Sequence, residues 1–68
     1  MSKFSENLIN LRKEMKISQA KIAEKLDVAQ QCVSRWEKDL SEPTLNNLIG
    51  LADFFGVSLD YLVGRKDF

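Results

Sequence analysis

Apolar residues recur along this chain at helical spacing, in short stretches separated by polar breaks. Phe4, Leu8, Leu11 and Met15 fall at i, i+4, i+7 and i+11, one face of a helix from roughly Lys3 to Met15. Ile9 widens that stripe, and Lys16-Ile17 forms a short connection. Ser18 reads as an N-cap, because its hydroxyl can accept an amide of the next turn. The helix it opens runs from about Gln19 to Leu26, with Ala20, Ile22, Ala23 and Leu26 on its apolar side. Asp27-Val28-Ala29 breaks the pattern. A third helix, from about Gln30 to Lys38, turns Val33 and Trp36 inward. Gln30, Gln31, Ser34 and Arg35 fall largely on its wet side.

Asp39 to Pro43 reads as a polar loop, and Pro43-Thr44 as a helix start with Thr44 the cap. Leu45, Leu48, Leu51, Ala52 and Phe55 define the buried face of a fourth helix, and Gly56 suits its end, where positive φ is needed. Ser58 caps a short fifth helix, Leu59 to Val63, ended by Gly64. Val57, before that cap, can staple onto Leu62. The tail from Arg65 to Phe68 is expected to fray. No segment alternates with period two, so the expected class is all-α, without a sheet.

Composition narrows the picture. Sixty-eight residues make one domain, residues 1–68, which buries only about 60% of its unfolded surface. One Cys and no His exclude an intrachain disulfide and ordinary zinc ligand sets, so an apolar core must hold the fold. The apolar fraction of 44% suffices for one. Apolar runs are too short to span a membrane, and MSKFSENL lacks the apolar stretch of a signal peptide. A cytoplasmic domain is the expectation, and a lone thiol suits a reducing compartment. Without His, a nucleophile–base pair, a Gly-rich phosphate loop or a metal cluster, no catalysis, cofactor or small-molecule ligand is expected.

Net charge is zero, which taken alone argues against a basic nucleic-acid-binding surface. It divides unevenly. Residues 1–38 hold eight bases and five acids, a balance of +3. Residues 39–68 hold two bases and five acids, a balance of −3. Such asymmetry hints at one side that faces a polyanion.

The function is read from residues 18–38. Two short helices joined by a three-residue break have the length of a helix-turn-helix. The internal spacing is more specific. Counted from Gln19, apolar Ile22 and Leu26 occupy positions 4 and 8, and small Ala23 occupies position 5, where two steeply crossed backbones approach. Val28 at position 10 plugs the turn, and Val33 and Trp36 at 15 and 18 pack the second helix onto the first.

The stretches LINLRKEMKISQAKIAEKLDVAQQCVSRWEKD and LNNLIGLADFFGVSLDYLVG resemble the Cro/cI-type, XRE-like helix-turn-helix family of bacterial and phage regulators. The likeness spans about residues 4 to 64. It implies a compact five-helix domain of the lambda-repressor-like type that binds DNA, usually as a dimer, and regulates transcription.

Roles follow from the docking geometry of such motifs. The second helix of the motif enters the major groove, and its N-terminal residues meet base edges. Gln30, Gln31, Ser34 and Arg35 are therefore the candidate base contacts. Gln suits bidentate pairing with adenine, and Arg with guanine. The plainer reading makes them solvated polar residues. Gln19 opens the preceding helix, where free amides favour a phosphate. The resemblance adds that Gln19 braces Gln30. Ser18, Lys21, Cys32, Lys38, Ser41, Asn46 and Asn47 are further candidate phosphate contacts, against the plainer reading of a charged or polar surface. The resemblance also implies a structural salt bridge between Arg12 and Glu37.

The chain departs from the family pattern in two places. Asp27 stands where the motif turn usually has Gly, at a position that needs φ > 0, which Asp tolerates better than most residues. Lys38-Asp39 stands where Asn-Gly often follows Trp-Glu. Cys32 lies among the proposed contacts, so its oxidation could block binding. The plainer reading is a small residue near the sugar-phosphate backbone. Trp36 is read as core. Phe54, Tyr61 and Phe68 are candidates for exposure.

The expected function is sequence-specific binding of double-stranded DNA by a transcriptional regulator, a repressor, at a palindromic operator. A homodimer touching near Ser58 to Leu62 is expected to read the two half-sites. The alternative is a helix-turn-helix protein-interaction module, an antitoxin-like or dimerisation partner. Such a surface favours apolar anchors over the outward glutamines and arginine found here.

Overall fold

Local hydrogen bonds start four of the five helices. The structure is a computed structural model describing residues 2–66, all-helical in those residues, in the order α1 (Lys3–Glu14), α2 (Gln19–Leu26), α3 (Gln30–Glu37), α4 (Leu45–Phe55) and α5 (Leu59–Leu62). Ser2, Ser18, Thr44 and Ser58 each accept an amide three residues on, from Ser5, Lys21, Asn47 and Tyr61, at 3.0–3.1 Å. Ala29, before α3, has no side chain able to do this.

The helix ends also repeat one device. A residue in left-handed conformation follows each helix: Lys16, Asp27, Asp39, Gly56 and Gly64. The next amide then reaches back five residues, from Ile17 to the Arg12 carbonyl, Val28 to Ala23, Leu40 to Arg35, Val57 to Ala52 and Arg65 to Asp60. This geometry ends α1 at Glu14, α3 at Glu37 and α5 at Leu62, one residue before each expected end at Met15, Lys38 and Val63. Arg65 and Lys66 both donate backbone bonds to the Asp60 carbonyl, so the expected fraying is not seen there. Asp67 and Phe68, and with them the expected exposure of Phe68, lie outside the described residues.

One core joins the elements. Leu8 and Leu11 of α1, Ile22 and Ala23 of α2, Val33 and Trp36 of α3, Leu51 and Ala52 of α4 and Leu62 of α5 are buried together. Ile17, Val28 and Val57, the residues after three of the left-handed turns, pack against that core. The Cα radius of gyration, 10.6 Å, matches the roughly 11 Å of a folded chain this long.

Three apolar positions depart from the stripes. Met15 and Leu45, expected to be buried, are 48% and 66% exposed, and Ala20 is exposed as well. Met15 lies beyond the last turn of α1, and Leu45 precedes the part of α4 that meets the core. Phe54 and Tyr61, candidates for exposure, are half-buried against the core, and the Phe54 ring meets Phe55 edge-on at 5.2 Å. The exposed large apolar side chains among the described residues are Met15, Leu40, Leu45 and Ile49.

Candidate nucleic-acid interface

α2 and α3 form the most extensive helix pairing in the molecule. Ile22 and Ala23 of α2 and Val33 and Trp36 of α3 are buried together in the core. The turn between them depends on Asp27, at φ 57° and ψ 47°, and on the bond from Val28 N–H to the Ala23 carbonyl, 3.0 Å. Burial of Val33, Trp36 and Glu37 fixes the rotation of α3 about its axis. Gln30, Gln31 and Arg35 consequently face solvent, with Ser34 half-buried beside them. Cys32 is different. It is half-buried and packs against the core.

At the start of α2, Ser18 and Lys21 are exposed and Gln19 is half-buried. The Ser18 hydroxyl accepts the Lys21 amide. The Lys21 ammonium sits 3.4 Å from Glu24, an exposed pair weak enough to exchange for a phosphate. The Gln19 Nε2 donates to Glu37 Oε1 at 3.0 Å, and among the described residues its side chain makes no hydrogen bond to Gln30. Glu37 is buried, so its carboxylate needs donors, and Gln19 supplies one.

Arg12 supplies the others. Its Nε donates to Glu37 Oε2 at 2.5 Å and its Nη2 to Oε1 at 3.0 Å, while Nη1 donates to the Ile17 carbonyl at 3.2 Å. The side chains are 18% and 6% exposed. The hydrogen bonds to Glu37 hold the Arg12 guanidinium above its ordinary pKa, against the opposing effect of burial. The pair ties α1 to the last turn of α3.

Lys38 is exposed at the end of α3, and Ser41 is half-buried in the loop beyond. Asn46 is exposed and Asn47 half-buried in the first turn of α4, where Thr44 already takes the Asn47 amide. Lys38 caps α3, its amide donating to the Ser34 carbonyl at 3.1 Å. Ser41, Asn46 and Asn47 belong to the loop and to α4, and no side-chain hydrogen bond joins them to the α2–α3 unit among the described residues. The loop also holds contacts that sequence reasoning missed. Asp39, at φ 63°, accepts Ser2 N–H at 3.0 Å and the Ser5 hydroxyl at 3.3 Å. Ser5 is buried, and its hydroxyl also lies 2.6 Å from the Trp36 carbonyl. Hydrogen bonds from Ser2, and then from Ser5, hold the Asp39 carboxyl below its usual range. Asn7 Nδ2 donates to the Tyr61 and Leu62 carbonyls and so anchors α5 on α1. These partners are 31 to 55 residues apart, so no local pattern announces them.

A helix-turn-helix family model matches residues 8–62. The chain belongs to this helix-turn-helix family. Among its relatives is an uncharacterised HTH-type transcriptional regulator, YqaE, of Bacillus subtilis. That protein is 38% identical over 60 residues, 88% of this chain and 52% of its own length. The cryptic phage CTXphi transcriptional repressor RstR of Vibrio cholerae is 33% identical over 63 residues, 93% of this chain and 56% of its own length. The chain thus spans about half the length of these curated relatives. In structure, it resembles the P22 c2 repressor protein in complex with a synthetic operator, with a TM-score of 0.86 and 32% identity over 93% of this chain and 96% of that one. No helix among the described residues is long and apolar enough to cross a membrane.

Proposed function

We propose that this chain is the DNA-binding unit of a transcriptional repressor, acting in the cytoplasm by binding rather than by catalysis. The observation that carries the proposal is the division of α3. Val33, Trp36 and Glu37 lock one side into the core, while Gln30, Gln31 and Arg35 point outward with Ser34 beside them. The likeness to an operator-bound phage repressor supports the same reading. In it, α3 lies in the major groove, Gln30 and Gln31 meet adenine edges, and Arg35 meets guanine. Each such pair contributes about 1–3 kcal/mol of discrimination against the wrong base. Ser18, Gln19 and Lys21 hold the backbone on one side. Lys38, Ser41, Asn46 and Asn47 are phosphate candidates on the other.

One unit covers one half-site. A homodimer on a palindromic operator, with half-sites about 34 Å apart, completes the reading. The shallow groove lined by Leu11, Gly56, Val57, Ser58, Tyr61 and Lys66 offers a mostly apolar surface for that contact. DNA retention across a salt series tests the proposal. Binding predicts log K falling against log salt by about 0.9 per neutralised phosphate. A flat response with no retention at low salt would refute it and leave the protein-interaction module.

A further inference from the structure

The ion pair beneath α3 does more than join two helices. Glu37 Oε1 receives two donors, Arg12 Nη2 and Gln19 Nε2, each at 3.0 Å. A carboxylate only accepts hydrogen bonds. The Gln19 amide must therefore turn its nitrogen toward Glu37, and cannot occupy the flipped arrangement. Its second N–H is then left for a partner on the outside. Gln19 is the first residue of α2, where free backbone amides already favour an anion. A lone carboxylate at this place would repel a phosphate. Paired with Arg12, Glu37 carries no net charge into the site, and the third Arg12 bond, to the Ile17 carbonyl, keeps the guanidinium plane fixed.

We propose that Glu37 is a positioning residue for DNA binding: held by Arg12, it fixes the Gln19 amide so that one N–H is presented to a backbone phosphate at the start of α2. The proposal rests on the reading of α2 and α3 as a DNA-binding unit. Its gain is preorganisation, since a side chain already ordered in the free protein loses less freedom on binding. Lost ordering of one such side chain weakens binding by about fivefold.

The test compares Gln19→Ala in two backgrounds. One is the wild type. The other is Arg12→Met/Glu37→Leu, which replaces the pair by apolar residues of similar volume, a change buried ion pairs often tolerate without loss of stability. The readout is the affinity of the full chain for an operator selected from random DNA. NMR of the Gln19 side-chain amide in the free protein is the second readout. The proposal predicts that Gln19→Ala weakens wild-type binding about fivefold and the double variant less than twofold. It also predicts slow solvent exchange of the Gln19 amide proton bonded to Glu37 in the wild type and fast exchange of that proton in the double variant. An equal cost in both backgrounds, or fast exchange in the wild type, overturns the proposal alone. A wild type that binds no DNA overturns the reading of the site and this proposal with it.

Discussion

Asp27 and Asp39 share left-handed backbone, at φ 57° and 63°, but their side chains set them apart. Among the described residues no side-chain hydrogen bond compensates Asp27, whereas Asp39 accepts from Ser2 and Ser5. Asp27→Gly therefore raises the thermal midpoint, by up to about 1 kcal/mol of relieved strain or roughly 4–8 °C. Asp39→Gly gives no such gain, because it removes the acceptor at the start of α1. Paired thermal melts check both. Asp39 also leaves a mark on the acid limb. Its folded-state pKa is depressed, so its stabilisation is complete above the ordinary carboxylate range and is lost as pH falls through that range to the lower folded value. Urea titrations from neutral to strongly acidic pH should show a shallower acid limb for Asp39→Asn. Glu37→Ala leaves Arg12 half-buried without its partner and costs about 3 kcal/mol, read from the same titrations at neutral pH. The strain at Asp27 was legible from its place in the motif turn. The role of Asp39 was not, because Ser2 and Ser5 lie 37 and 34 residues away.

At the scale of the element, two glycines separate backbone strain from packing. Gly56 and Gly64 both end helices at positive φ, 70° and 86°. A Cβ at Gly56 would meet open space, whereas one at Gly64 would lie 2.3 Å from Lys3 Cβ at the start of α1. Gly56→Ala should cost only the left-handed penalty, about 1 kcal/mol. Gly64→Ala should cost clearly more, because Lys3 Cβ is tied to the α1 backbone and cannot swing aside. Denaturant midpoints of the two variants give the difference, and equal midpoints would remove the Lys3 contact as an explanation. Helix starts at Ser18, Thr44 and Ser58 were legible because capping acts within one turn. So were the ends at Gly56 and Gly64. Met15 and Leu45 were misjudged because a stripe shows which side of a helix is apolar, not how far its neighbour extends along it. Ala20 was misjudged as well. It sits on the flank of α2 that α3 does not cover.

For the whole molecule, the net charge of zero is best understood as two opposed halves. The +3 half holds α1 to α3 and the candidate reading surface, and the −3 half holds α4 and α5. On the proposed function, this division of charge predicts weaker non-specific DNA affinity than a wholly basic domain has, with affinity resting more on the proposed base contacts and dimerisation. The outward face of α3 was legible because Val33 and Trp36 set its rotation. The Gln19–Glu37 bond was not, since it joins the first residue of α2 to the last of α3 through a buried carboxylate that no periodicity marks. The central claim is that α3 reads base edges. In vitro selection from a random DNA pool, run with the wild type, Gln31→Ala and Arg35→Ala, tests it most directly. The account predicts a palindromic consensus for the wild type. Each variant should lose preference at one position per half-site, by about 1–3 kcal/mol, with the remaining positions intact. A consensus unchanged by either substitution, or no consensus from the wild type, would contradict it.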